Sequence, residues 1–373
     1  MKWAMSKDKK LALALSGGGV RAMAFHAGVL LYLSEQGYLE NVSQISSVSG
    51  GSLLVGLIYK ENSYVWPTSN EYKNSVYHSI KNQLCSKNLQ LLAVLELIKP
   101  NNWVYVLSRA NVVAKTIEKV WGIDKKLNRI SAYPLWSING TTIENGKRFR
   151  FKHDTCGDYS TGYSKSQDFK ISEAIAMSAA FPGGIGPLAI QTSKYDWKKR
   201  KSWDDPEGTE ISVTPPYKTI HLYDGGIYDN LGSEPLFDIG KGLPKHDGYS
   251  ILVSDAGSPF SNAIKMGPLN PFRLKRIVDI LMDQSRSLRV RSLMNYFLSN
   301  KNAGGYLMIG ENPRKILSDE ELKLGNWQSE EEIDFASRYG TNLSKIKIND
   351  FDRIARHGYE LAKSIDIIKE SIV

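Results

Sequence analysis

Three short turns carry the residues best suited to chemistry in this chain. Ser16-Gly17-Gly18-Gly19-Val20-Arg21 follows the apolar run from Leu11 to Leu15. A buried strand therefore opens into a glycine loop with an arginine on its far side. Successive backbone N–H groups ahead of a helix start favour negative charge. Ser47-Val48-Ser49-Gly50-Gly51 follows a second short strand. A serine on a sharp strand-to-helix turn needs small neighbours, because backbone segments come close there. The usual G-x-S-x-G spacing has glycine where this chain has Ser47, which is still small. Tyr223-Asp224-Gly225-Gly226 closes a third strand. Together the turns supply an anion hole (Gly17, Gly18, Gly19), a nucleophile (Ser49) and a base (Asp224).

A nucleophilic serine needs a base. The histidines are His26, His78, His153, His221, His246 and His357. None lies in a strand-end turn among small residues, so each is expected to be structural. His221 precedes Asp224 by three positions on one strand, and the two side chains face opposite sides. A free aspartate, with a pKa of about 3.9, is a weak base at neutral pH. Burial beside a hydroxyl raises it, so a Ser–Asp dyad can work without histidine. Arg21 has two readings: it holds the glycine loop, or it binds a lipid phosphate. A nucleotide phosphate loop is disfavoured, since neither G-x-G-x-x-G nor G-K-[ST] is present.

The elements that position these turns alternate. Residues 11–15 and 44–48 read as strands, and residues 20–36 and 52–59 as helices. This order implies a parallel sheet with helices on its faces. Residues 76–97 and 103–121 read as helices within a candidate helical cap over residues 72–130, with ordinary packing helices as the alternative. Strands are expected over 134–139 and 147–152, the second after the hairpin signal Asn145-Gly146. A helix is expected over 171–180, a polar loop or insertion over 194–217, and strands over 219–223 and 249–254. The C-terminal region, 270–373, reads as mostly helical. With no boundary signal, one domain is expected over 1–373, its core at 10–257.

The 373 residues are 42% hydrophobic and 23% charged, which excludes a disordered chain. Formal net charge is +9, favouring anionic partners. Two cysteines, Cys85 and Cys156, exclude a disulfide framework and zinc spacing, and point to a reduced cytosolic setting. No apolar run approaches the ~20 residues of a spanning helix. Lys2, Lys7, Lys9 and Lys10 ahead of the first strand loosely resemble a signal peptide, but the apolar part is too short. Two basic segments are candidate membrane contacts: the aromatic-flanked stretch from Tyr195 to Trp203, and the arginines between Arg273 and Arg291.

The three turns, with Ser178-Ala179-Ala180-Phe181-Pro182 and Asp224-Gly225-Gly226-Ile227-Tyr228-Asp229-Asn230-Leu231-Gly232, resemble the patatin-like phospholipases. Residues 16–23, S-G-G-G-V-R-A-M, are especially similar to the cytosolic phospholipase A branch of that superfamily. The likeness covers roughly residues 10–60, 131–190 and 217–257. It implies an α/β fold, a three-layer α/β/α sandwich with a mostly parallel central sheet. It implies Ser49 as nucleophile, Asp224 as base, Gly17, Gly18 and Gly19 as the oxyanion loop, and Arg21 as that loop's arginine. The expected function is a lipid acyl hydrolase of phospholipase A or lysophospholipase type, acting through an acyl-enzyme without metal or cofactor. The expected partner is a phospholipid or other glycerolipid at a membrane surface. No nucleic acid is predicted, and a regulatory nucleotide or protein partner is left open. The expected location is cytoplasmic, peripheral to the membrane when active. Two rivals remain: a nonspecific soluble carboxylesterase using His246 or His357, and a nucleotide- or anion-binding sensor with an idle hydrolase site.

Overall fold

The apolar run that opens the chain folds as a central strand. A computed structural model describes residues 9–182, 184–202, 205–206, 208–259, 272–300 and 302–370; Lys2 and Lys7 lie outside them. β1 (Lys10–Leu15) is buried at every position after Lys10, as in a strand covered by helices on both faces. The glycine loop leads into α1 (Gly19–Glu35), followed by β2 (Val42–Ser47) and α2 (Gly50–Glu61). Helices Tyr77–Ser86, Leu89–Ile98 and Ala110–Trp121 come next. Strands return as β3 (Leu135–Thr142), β4 (Arg148–Phe151), β5 (Thr155–Asp158) and β6 (Gly162–Lys165). After helix Ile171–Ser178 come β7 (Leu188–Gln191), β8 (Trp197–Lys199), β9 (Ile211–Val213) and β10 (Thr219–Asp224). A small pair, β11 (Phe237–Asp238) and β12 (Leu243–Pro244), precedes β13 (Tyr249–Asp255). Helix Phe272–Ser299, β14 (Gly304–Met308) and helices Glu330–Arg338 and Ile348–Glu370 complete the path.

Among the described residues, 12 strands join in one sheet. One side of it is parallel, from the edge strand inward in the order β14-β13-β1-β2-β3. Beyond β3 the pairing turns antiparallel through β4, β5, β6, β8 and β9. β10 also pairs antiparallel with β3 and sets Asp224 across from Gly140. Register brings Leu15 beside Ser47 of β2 and Ser254 of β13. Three strand C-ends therefore meet, the place where open α/β sheets build their sites.

α1 is buried almost all round, as expected of a helix apolar on every face. It crosses helix Ile348–Glu370 at backbone contact. A Cβ on Gly28 would lie 1.7 Å from the Ala355 carbonyl oxygen, and one on Gly358 would lie 2.1 Å from that of Phe25. The C-terminal helix is thus part of the core, and β14 belongs to the same sheet.

The structure corrects three sequence expectations. The helix expected over 76–97 is broken, because the Asn88 side chain accepts the Leu91 N–H at 2.9 Å and starts a new helix at Leu89. The helix expected over 103–121 begins only at Ala110, after a 3-10 turn at Pro100–Tyr105. The polar stretch 194–217 holds β8 and β9 rather than a free loop. Trp197 is buried, its indole N–H donating to the Thr192 carbonyl at 2.8 Å. Tyr195 stacks on Phe169 with ring centroids 4.7 Å apart. These rings turn inward, so they do not form the membrane anchor expected there; Trp203 lies outside the described residues.

Candidate active site

Ser49 occupies the turn between β2 and α2 with φ 50 and ψ −119, a strained conformation for a non-glycine residue. The turn is tight because α2 starts against the glycine loop. A Cβ on Gly50 would lie 2.4 Å from the Gly19 carbonyl, and one on Gly51 2.4 Å from that of Leu15. Small residues at 50 and 51 are therefore steric requirements. Gly50→Ala is expected to displace the loop and lower kcat by about 10²-fold, the typical effect of an ångström-scale misplacement. A steady-state comparison with thermal unfolding of both proteins checks this.

Ser47, the departure from the usual glycine, has a specific use. Its hydroxyl accepts the Trp136 indole N–H at 2.8 Å and meets Ser52 Oγ at 2.8 Å. Ser52 meets Ser178 Oγ at 2.8 Å, and Ser178 donates to the Asn139 carbonyl at 2.7 Å. The indole can only donate and the carbonyl can only accept, so every proton in this chain points from Trp136 towards Asn139. Ser178 Oγ also accepts the Ser49 N–H at 3.0 Å. A buried hydroxyl chain thus fixes the back of the turn. Sequence reading missed the roles of Ser52, Ser178 and Asn139; the block 178–182 was the one available signal.

Asp224 closes β10 and is buried. Its carboxylate accepts the Gly226 N–H at 2.7 Å, and the Ser49 hydroxyl lies close enough to draw its pKa down. Burial pushes its pKa up to about 7, against the smaller opposing pull of those two groups. Its backbone is pinned by the Thr141 hydroxyl, 3.0 Å from the Asp224 carbonyl, and by its N–H to Ala180 at 3.1 Å. The structure therefore brings Ser49 and Asp224 together.

The glycine loop lies beside them, but its three amides are not equivalent. Gly17 N–H donates to the Asn230 carbonyl at 3.1 Å, so it is spent. This corrects the expectation that all three amides face an oxyanion. Gly18 and Gly19, with φ 146 and 58, carry no hydrogen bond on their N–H groups among the described residues. Gly50 N–H is likewise unpaired there. The loop is shaped from the far end of the chain. Val20 N–H donates to the Asn342 carbonyl at 2.8 Å, and a Cβ on Gly19 would lie 2.5 Å from that same oxygen. The N-termini of α1 and α2 both flank Ser49 and add favourable potential for an anion.

Arg21 is buried and its guanidinium donates inward. Nε and Nη2 reach the Ala256 carbonyl at 3.2 and 2.9 Å, and Nη1 reaches Ser258 Oγ at 2.5 Å and the Tyr339 carbonyl at 2.7 Å. Burial lowers its pKa to about 10, so it stays charged at neutral pH. Of its two readings, the structure favours the strut that holds the loop. Arg286 and Arg289, from the second candidate membrane segment, are pinned at 2.6 Å to Asp255 and to Glu234; the side chains of Arg273 and Lys275 lie outside those described.

Histidine stays away from the pair. His26 is bonded to Ser254 and the Ser16 carbonyl, and burial lowers its pKa to about 4. His357 accepts the Gly310 N–H at 3.0 Å and is likewise lowered by burial, to about 3. His221 pairs with Glu144 at 2.6 Å. His246 is exposed, its ring edge-on to Tyr249. Among the described residues none lines the cavity above Ser49. That cavity, about 1690 Å³, has Ser49, Asp224 and the glycine loop in one wall and Val94, Leu97, Val113, Phe181, Ile185 and Met282 in others. Among the described residues no acidic, histidine or cysteine cluster could hold a metal, and no helix is long and apolar enough to cross a membrane.

A strained serine over a parallel sheet, sharing a cavity wall with a buried aspartate beside a glycine loop, is the arrangement the patatin resemblance implies. The patatin-like phospholipase family model matches residues 13–237, and the chain belongs to that family. Among solved structures it is similar to human GIVD cytosolic phospholipase A2, with 14% identity and a TM-score of 0.53, covering 98% of this chain and 61% of the human one. The same human protein in complex with methyl gamma-linolenyl fluorophosphonate gives 14% identity and a TM-score of 0.52, covering 98% and 60%. The chain thus spans about three fifths of the human chains it matches, and at this identity the likeness shows the fold. No curated protein matches the sequence.

Proposed function

We propose that the protein is a serine acyl hydrolase that cleaves acyl esters of glycerolipids at a membrane surface, as a peripheral protein. The observation that carries this reading is the placing of strained Ser49 and buried Asp224 in the wall of one cavity beside the glycine loop. Ser49 Oγ attacks the acyl carbonyl while its proton passes to Asp224. The carbonyl oxygen becomes an oxyanion, met by the free amides of Gly18, Gly19 and Gly50. Collapse breaks the ester bond, and the leaving glycerol oxygen takes the proton from Asp224. Water then attacks the acyl-Ser49 ester, giving one proton to Asp224. Ser49 recovers that proton as the fatty acid leaves. Membership of the patatin-like phospholipase family supports the lipid substrate. The apolar cavity wall, wide enough for an acyl chain, supports it too.

The test is mass spectrometry of diacyl phospholipid vesicles incubated with the protein. Fatty acid and lysophospholipid should appear in equal amounts, and an alkyl fluorophosphonate should label Ser49. The rate should rise with pH through about 7 as Asp224 loses its proton and becomes a competent base. Intact lipid with an unlabelled serine would overturn the reading.

A further inference from the structure

The segment that follows Asn88 is built unlike a packing element. Helix Leu89–Ile98 and the turn Pro100–Tyr105 leave Leu91, Val94, Leu95, Ile98, Trp103 and Leu107 exposed, Leu107 at 87%. An apolar surface that extends along a whole helix and its following turn marks a contact site. Val94 is 52% exposed and also lines the cavity, so outer surface and cavity wall are continuous. The segment is not loose. Glu96 is buried between Lys99 and Lys119, at 2.6 and 2.8 Å, and the Asn102 side chain donates to its carbonyl at 2.8 Å. At the other end, Gln90 and Leu343 exchange hydrogen bonds at 3.0 and 3.2 Å.

Charge identifies the occupant. From Lys87 to Ile117 the only acid is Glu96, paired with Lys99 and Lys119, while Lys87, Arg109 and Lys115 are three further bases; Glu118, just beyond, is paired with Lys170. A second cavity-lining helix, Phe272–Ser299, also carries an outward apolar stripe. Arg276, Asp279, Met282, Asp283 and Arg286 line the cavity, and Ile277, Leu281 and Leu288 are exposed. Two cavity walls that each carry an outward apolar stripe suit a continuous apolar phase better than a single groove-fitting chain.

We propose that residues 91–107, together with the outer stripe of helix Phe272–Ser299, form the face by which this protein seats on an anionic lipid bilayer, with the cavity opening onto the lipid. The inference rests on the proposed lipid hydrolysis and refines it by naming the surface. A lipid acyl chain would pass from the bilayer along Val94 to Ser49 without crossing water. The membrane contact thus moves from the stretch 195–203 to this face.

The test uses Ser49→Ala protein, so that vesicles persist. Partition is measured by sedimentation with phosphatidylcholine vesicles, with and without phosphatidylglycerol. The same protein is compared after Leu95→Glu with Leu107→Glu, after Leu281→Glu, and after Leu324→Glu as an exposed control on neither helix. Charging a buried leucine contact should weaken partition by about tenfold or more. The control should match the parent, and phosphatidylglycerol should strengthen binding. Circular dichroism verifies the fold. Equal partition of all variants, or no partition of the parent, overturns the docking face. So does a parent dimer in sedimentation velocity that the Leu95→Glu, Leu107→Glu protein loses, since the face would then take a second copy. Hydrolysis by the unmutated protein is read separately. Its absence with normal partition sinks the proposed activity and leaves the face standing.

Discussion

Ser49→Ala lowers fatty-acid release by about 10⁴-fold or more, the scale on which covalent serine machinery collapses without its nucleophile. The variant is informative because little else changes. Alanine keeps the backbone N–H that donates to Ser178, and a Cβ already fits at φ 50. The free amides of Gly18, Gly19 and Gly50 remain, so weak residual turnover from binding and the anion hole should persist. One secondary effect follows. The Ser49 hydroxyl holds the Asp224 pKa down, so its removal lets that carboxyl hold its proton more tightly. Release is measured from labelled phospholipid, with circular dichroism confirming the fold. Turnover within about tenfold of the parent would place the nucleophile elsewhere.

Asp224→Asn is expected to lower the rate by about 10²–10⁴-fold, the range supplied by a positioned base, and to raise stability at alkaline pH. The sign follows from the raised pKa. Unfolded, the aspartate loses its proton near pH 3.8; folded, it keeps it up to about pH 7. Between these values the native state binds more protons than the unfolded state, so the parent loses stability as pH rises. Above pH 7 the native state holds a buried anion at a cost on the order of 4 kcal/mol. Asparagine carries no such cost. The melting-temperature gap between variant and parent should widen from pH 5 to pH 8. Parallel pH curves for the two proteins, or unchanged turnover, would remove Asp224 from the role of base.

The parts of this site legible in the sequence are those set by local backbone. The glycine loop, the Ser49 turn and the end of β10 are each fixed by residues within a few positions, so their order and spacing showed them. The parallel side of the sheet was legible for the same reason, since β1, α1, β2 and α2 alternate in sequence. What escaped reading depends on distant partners. Nothing in the sequence of Gly17 says that the Asn230 carbonyl takes its amide, and nothing in Asn342 says that it closes the loop. Exposure was the least legible property. Trp197 reads as an anchor because it stands among lysines, yet it folds under Thr192. Residues 76–97 could be read as cap or as packing helix, and only the structure shows Leu91 and Leu95 facing outward. Periodicity reports that a face is apolar and leaves open what that face meets.

The closing of the glycine loop by Asn342, and the backbone crossing at Gly28 and Gly358, have a consequence for biosynthesis. The elements holding Ser49 and Asp224 leave the ribosome more than a hundred residues before the segment that shapes the anion hole. Until that segment docks, α1 lacks its partner helix and the first turn of the loop lacks its acceptor. A nascent or C-terminally clipped chain would thus carry both members of the pair without an assembled hole above them. Completion of the anion hole is thus coupled to docking of this distal segment, and so to closure of the core around α1.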